Sequence, residues 1–297
     1  MSVTTLADEC TQISSSFLAE LFPHQYSDLI QTALQEDLAR GGDLTSQALI
    51  PLSHESELFI CARETGVLAG SGLASAVFAQ LDERVRVDFH SEDGAQIHPG
   101  QVLARVQGPT RSILAGERTA LNFLGHLSGV ATATADLCAR VHPYDSKITC
   151  TRKTLPGLRA LQKYAVRVGG GYNHRLALDD AVLIKDNHIA LAGGIAQALE
   201  KARKTVGHMV AIEIEVDNLV QLDEALEHGA KIILLDNMDP DTLLRAVRKC
   251  ADRAVTEASG GITPERINEI AATGVDYISV GWLTHSARNL DLGLDVL

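Results

Sequence analysis

From Ser146 to Val280 the chain repeats one rhythm: a short aliphatic or β-branched run, a polar residue at its end, then a stretch with helical spacing. The runs are Lys147–Thr151, Ala181–Lys185, Val210–Val216, Lys231–Asp236, Ala254–Ala258 and Tyr277–Val280. Helix-like patterns fill the intervals at Ile195–Val206, Leu219–His228, Asp241–Cys250 and Pro264–Ala272. Strands alternating with helices at this spacing predict a parallel sheet with right-handed crossovers. Asp239-Pro240 and Thr263-Pro264 each place a capping residue before a proline that suits a first helical turn. Six such units predict an α/β fold built as an open, incomplete barrel rather than a closed eight-stranded one. The polar residues at the strand ends are Arg152-Lys153, Lys185-Asp186, Glu215, Asp236, Ser259 and Gly281. In α/β barrels that end of the strands carries the active site.

The preceding part of the chain has another rhythm. Helical patterns near Ser27–Leu38 and Gly72–Leu81 alternate with strand-like pieces at Glu57–Arg63, Arg84–Phe89 and Val102–Gln107. Asp93-Gly94 and Pro99-Gly100 mark turns between them. This predicts a small N-terminal α+β domain followed by a long helix from about Leu114 to Cys138. The expected division is residues 1–129 for this domain, with the tail 286–297 packing on it, and 130–285 for the catalytic barrel.

The formal net charge is −12, which makes nucleic acid and anionic membrane poor partners. Five cysteines with no C-x-x-C pair indicate a reducing compartment. Met1–Cys10 has no basic n-region, and no apolar run approaches the roughly 20 residues of a membrane span, so a cytoplasmic location is expected.

Against this acidic background, seven of the 26 Lys and Arg residues fall between Thr151 and His188, where even spacing would give about three. Arg159, Lys163 and Arg167 recur at every fourth position after Pro156-Gly157 and read as one solvated helix face. Arg152, Lys153, His174, Arg175 and Lys185 sit instead at strand ends or beside the run Gly169-Gly170-Gly171. Arg grips carboxylate or phosphate with a planar fork, and Lys supplies a mobile point charge. Several such groups converging in one barrel mouth would repel each other unless an anion lay among them.

Two carboxylates complete the constellation. Glu215 and Asp236 end their strands, and strand alternation puts Glu213 on the same face as Glu215. Acids there can bind ribose hydroxyls, hold Mg²⁺ through water, or stabilise developing positive charge. The competing reading for all three acids, strongest for Glu213, is a salt bridge to a barrel lysine. Ser259-Gly260-Gly261 and Val280-Gly281 close the last two strands, where backbone N–H groups often receive a phosphate.

Taken together these segments resemble the quinolinate phosphoribosyltransferase family. The resemblance lies in Thr151-Arg-Lys-Thr-Leu-Pro-Gly-Leu-Arg, Gly169-Gly-Gly-Tyr-Asn-His-Arg and Leu183-Ile-Lys-Asp-Asn-His-Ile. It extends to Glu117-Arg-Thr-Ala-Leu-Asn-Phe-Leu-Gly-His and to Glu36-Asp-Leu-Ala-Arg-Gly-Gly-Asp-Leu-Thr-Ser, covering nearly the whole chain in order. The resemblance implies condensation of quinolinate with phosphoribosyl pyrophosphate, using Mg²⁺, to nicotinate mononucleotide, pyrophosphate and CO₂. It also implies an N-terminal α+β sandwich domain beside the open α/β barrel, and a homodimer in which one subunit's N-terminal region completes the other's barrel. Carried over, Arg118 would reach quinolinate across that interface, while Arg152, His174, Arg175 and Lys185 would bind it within the barrel. Lys153, Thr154, Glu215, Asp236, Ser259, Gly260, Gly261, Val280, Gly281 and His285 would hold phosphoribosyl pyrophosphate, with Glu215 and Asp236 toward Mg²⁺. One departure is Cys150, where many relatives have Asp; it reads as a packed strand residue.

Two other readings share these residues. A ModD-like homologue of the same fold would take a different anionic partner. In an aldolase-like barrel, Lys185 would form a Schiff base, which needs an amine whose pKa is depressed by burial or neighbouring cations.

Overall fold

The computed structural model describes residues 21–297, so the reading of Met1–Cys10 lies outside the described residues. In chain order the elements are α1 (Ser27–Leu38), α2 (Leu44–Leu49), β1 (Glu55–Ala62), β2 (Gly66–Val67), α3 (Ser71–Leu81), β3 (Arg86–Phe89), β4 (Gln96–Ile97), β5 (Val102–Pro109) and α4 (Thr110–Val141). They continue with β6 (Lys147–Thr149), α5 (Arg159–Val168), β7 (Val182–Ile184), α6 (Asp186–Ala192), α7 (Ile195–Thr205), β8 (Ile212–Val216) and α8 (Leu219–Glu227). The last are β9 (Ile232–Asp236), α9 (Pro240–Cys250), β10 (Val255–Ser259), α10 (Ile267–Ala271), β11 (Tyr277–Ser279) and β12 (Leu292–Asp295).

Two compact units result. The first runs up to Ala135 and takes in Leu155–Gly170 and Leu283–Leu297. Its antiparallel sheet has the order β12-β1-β5-β3, with β2 and β4 forming a separate two-stranded ladder. Burial along β1 rises to an unbroken apolar end at Ile60, Cys61 and Ala62, which pair with Leu294, Gly293 and Leu292 of the C-terminal strand. The core of this unit gathers Ile60, Phe78, Leu103, Ile113 and Leu124, all at most 1% exposed. Gly129 on α4 lies against the backbone carbonyl of Arg288, where a β-carbon has no room. That close approach lets the chain's last segment lie on the helix, and the Leu290 N–H donates to the Gly125 carbonyl at 2.9 Å.

One expectation is overturned here. The face formed by Arg159, Lys163 and Arg167 is not a fully solvated one, since Arg159 and Arg167 are half-buried, Lys163 is 2% exposed and neighbouring Gln162 0%. Helix α5 also buries Leu161, Ala165 and Val166, so packing reaches around it rather than along one stripe. Its polar groups find partners: Gln162 Nε2 donates to His126 Nε2 at 2.9 Å, and the Tyr164 hydroxyl donates to Asp93 at 2.6 Å.

The second unit comprises Asp136–Thr154 and Gly171–Trp282. Its six strands are all parallel, in the order β6-β11-β10-β9-β8-β7. From β7 to β11 each strand pairs with its successor, with α7, α8, α9 and α10 as the crossovers. The first strand, β6, joins at the far edge beside β11, and no ladder links it to β7, so the barrel is open as expected. Asn218 and Asp239 cap α8 and α9 by accepting from the second or third helical N–H. Helix α6 was not anticipated; it begins directly after Lys185 and buries none of its residues.

Candidate active site

Register in the parallel sheet decides what faces the barrel mouth. Leu183 pairs with Glu213, Glu215 with Leu234, Leu234 with Glu257, and Asp236 with Ser259. Because side chains alternate along each strand, these residues form successive rows on one face. They converge on a cavity of about 530 Å³ lined by Arg152, Lys153, Arg175, Lys185, Glu215 and Asp236, with His174 and the segment Ser259-Gly260-Gly261 also on its wall. The cavity therefore unites most of the residues singled out from the sequence.

The cations in it are held in different ways. Lys185 forms an ion pair with Glu215, whose side chain is 11% exposed. That pairing engages the amine a Schiff base would need free, which counts against the aldolase-like reading. Arg175 donates from Nη1 to the Ala181 carbonyl at 2.7 Å. Its Nε, and the Nε of Arg152, are buried with no hydrogen-bond partner. Burial, and then repulsion from Arg152, pull the Arg175 guanidinium below its usual pKa. Two guanidinium donors thus stand desolvated and unanswered, an expensive arrangement for a protein to keep.

His174 lies deeper, its side chain 14% exposed. Its Nδ1 accepts the Arg175 backbone N–H at 2.8 Å, and its Nε2 lies 2.8 Å from Glu213. Glu213 therefore partners His174 rather than a barrel lysine. Glu257 stands 3.8 Å from the same ring nitrogen. The sequence reading missed Glu257, although alternation with Ser259 would have placed it on the inner face of β10.

The acidic wall of the site has a donor set that a metal could use. Glu215, Asp217 and Asp236 offer carboxylate oxygens all within 4.8 Å of one another. Hard oxygen donors at this spacing fit Mg²⁺. Asp217 was not anticipated; it lies just beyond the end of β8. Beside this wall Asn237 holds Asp236 through a 2.6 Å hydrogen bond and adopts a positive φ of 53°. The same turn requires Gly260, which has φ of 94° and would place a β-carbon 2.9 Å from the Asn237 backbone nitrogen.

Some expected residues are not in the cavity wall. Val280 is 1% exposed and spends its N–H on the Thr149 carbonyl, so neither its side chain nor its N–H is offered to the cavity. Thr154 is absent from the lining, and Gly281 lies under the Lys153 side chain. Arg118, exposed on α4, and His285, whose Nδ1 lies 2.6 Å from Ser286, belong to the first unit. Cys150 is packed as expected but lies one residue beyond the end of β6: it is fully buried and its thiol donates to Asn173.

Comparison with known proteins gives this geometry its relatives. Residues 43–128 match the N-terminal domain of quinolinate phosphoribosyl transferase, and residues 130–295 match its C-terminal domain. The nicotinate-nucleotide pyrophosphorylase (carboxylating) of Mycobacterium leprae is 47% identical over 91% of this chain and 96% of its own. A mitochondrial quinolinate phosphoribosyltransferase (decarboxylating) of Nicotiana glauca is 39% identical, over 92% of this chain and 82% of its own. The solved nicotinate-nucleotide pyrophosphorylase of Francisella tularensis superposes with a TM-score of 0.90 at 40% identity, covering 94% of this chain and 99% of that one. By both of its domains and by these relatives, the chain belongs to the quinolinate phosphoribosyltransferase family.

Proposed function

We propose that this protein transfers the phosphoribosyl group of phosphoribosyl pyrophosphate to quinolinate with loss of CO₂, giving nicotinate mononucleotide and pyrophosphate. The observation that carries the reading is the pair of buried, unanswered Nε donors of Arg152 and Arg175 on a cavity that also holds Lys185. A planar dicarboxylate satisfies both forks and relieves their mutual repulsion.

Quinolinate lies against Arg152, Arg175 and Lys185, with its ring nitrogen toward the acidic wall. Phosphoribosyl pyrophosphate lies across Lys153, Glu215, Asp236 and the Ser259–Gly261 turn, whose backbone N–H groups receive phosphate. The ring nitrogen attacks the anomeric carbon as the bond to pyrophosphate breaks, so positive charge develops on the ribose. Glu215 and Asp236 stabilise that charge, and Lys153 offsets the charge on the leaving pyrophosphate. Glu215, Asp217 and Asp236 would hold Mg²⁺, which supplies further positive charge to the pyrophosphate. With the ring nitrogen quaternised, the adjacent carbon–carboxylate bond breaks, its electron pair stays beside N⁺, and that carbon then takes a proton. Fixing two anions in line is itself a large part of the acceleration, on the order of 7–11 kcal/mol in well-oriented systems.

The working unit in this proposal is a homodimer in which Arg118 of one subunit reaches quinolinate in its neighbour's barrel. Its exposed place on α4 supports that role. No helix among the described residues is long and apolar enough to cross a membrane. The buried free thiols of Cys61 and Cys250 support a reducing compartment, and we place the enzyme in the cytoplasm. Incubation with quinolinate, phosphoribosyl pyrophosphate and Mg²⁺ should produce nicotinate mononucleotide by chromatography. Folded protein that yields none would overturn the proposal.

A further inference from the structure

We infer that His174 is a positioning residue rather than a quinolinate ligand, and that Glu213 sets it, the two together holding Arg175 in place. The inference rests on the quinolinate reading above and departs from what the family resemblance implied for His174.

The argument starts from proton count. A backbone amide has only a hydrogen to give, so the 2.8 Å bond from the Arg175 N–H to His174 Nδ1 means that Nδ1 carries a lone pair. The ring's proton is therefore on Nε2, where it is donated to Glu213 at 2.8 Å. Both ring nitrogens are spent inside the protein, and neither is left to grip a carboxylate of the substrate. The same count bears on a second possibility. His174, Glu213 and Glu257 bring their ligand atoms within 4.8 Å of one another, as a three-ligand metal site would. A metal at Nε2 of a neutral ring would require the proton on Nδ1, which the Arg175 amide forbids. The cluster is closed to a metal.

What remains is mechanical. Between Tyr172 and Val182 the chain has no regular element, so Arg175 is carried on a loop. Glu213 sits inside β8, paired on both sides with β7 and β9, and is one of the more rigid points of the unit. His174 ties the loop to that strand and delivers the position to Arg175 through its backbone N–H. The guanidinium is then fixed at its other end by the Ala181 carbonyl. Sites hold their geometry when each contacting side chain is backed by a supporting bond of this kind. Glu213 also favours the charged form of Arg175, opposing the repulsion from Arg152.

A double-variant cycle tests the relay, read by steady-state kinetics on the full-length protein. Glu213→Leu should raise the quinolinate KM by about tenfold to a hundredfold, the scale of a misplaced binding group. It should leave the KM for phosphoribosyl pyrophosphate within about twofold, because no second-substrate group hangs on this relay. Glu213→Gln keeps an acceptor for Nε2–H and should restore most of the loss. His174→Leu should cost about as much as Glu213→Leu, and the double variant no more than either alone, since one chain of bonds is broken once. The double variant removes the Glu213–His174 pair together but leaves the Arg175 N–H without its acceptor, so a wild-type circular dichroism spectrum is required of each variant before its kinetics are read, and Glu213→Gln carries the test where Glu213→Leu does not fold. Multiplying effects in the double variant, or an unchanged quinolinate KM in Glu213→Leu beside a raised one in His174→Leu, would make His174 a direct ligand and overturn the relay. A wild-type protein without turnover would instead sink the functional reading and leave the hydrogen-bond geometry untouched.

Discussion

Replacing Arg175 with alanine should weaken quinolinate binding by about a hundredfold or more, while the protein without substrate becomes no less stable. The two halves of this expectation have one cause. Arg175 is desolvated, stands close enough to Arg152 for repulsion to pull its pKa down, and has a buried Nε with no acceptor. In the empty protein it is a cost. In the complex a carboxylate removes both penalties and gains a charge-assisted fork. Removing the side chain therefore costs affinity and relieves the empty site, the trade expected where binding groups are held ready at the expense of stability. Titration calorimetry and thermal unfolding check the two halves separately. Arg175→Lys should not rescue binding, because an ammonium lacks the planar fork. Quinolinate should raise the melting temperature of the wild type and fail to do so in Arg175→Ala. A variant that binds quinolinate normally would remove this residue from the site.

The second large effect concerns Arg118. Arg118→Ala should abolish turnover although the residue lies on α4, far in sequence from the barrel motifs. Lys185→Ala should be equally inactive. Mixed under conditions that exchange subunits, the two inactive proteins should recover about a quarter of wild-type activity. In a symmetric dimer half of the random pairs are mixed, and each mixed pair contains one intact site. Activity that stays at the level of the separate variants, with mixed dimers shown to form, would refute a site shared between subunits.

Much of this architecture was legible because parallel strands and amphipathic helices leave different periods in the sequence. All six barrel strands lie within a few residues of the aliphatic runs that predicted them, and the Asp239 cap performs as its position before Pro240 suggests. The lining of the cavity was legible for the same reason: residues at strand ends in an α/β sheet face one mouth, so Arg152, Lys185, Glu215, Asp236 and Ser259 could be gathered from the sequence alone. What failed was inference from charge about exposure. The every-fourth pattern of Arg159, Lys163 and Arg167 looks like a wet face, yet Lys163 is buried, because tertiary packing rather than helix period decides which sides of α5 are covered. Glu213 failed similarly: a strand pattern gives the face but not the partner, and the partner was His174. Strand β12 was not read as a strand, since a short Leu-Gly-Leu-Asp run is stabilised by pairing with β1 rather than by its own pattern.

The measurement closest to the central claim is release of labelled CO₂ from quinolinate carrying the label in one carboxyl group at a time. With phosphoribosyl pyrophosphate and Mg²⁺ present, the carboxyl adjacent to the ring nitrogen should be released, one CO₂ for each pyrophosphate formed. The other carboxyl should remain on the nucleotide product. Label released from the distal carboxyl, release without phosphoribosyl pyrophosphate, or pyrophosphate formed without CO₂ would contradict the account of this cavity.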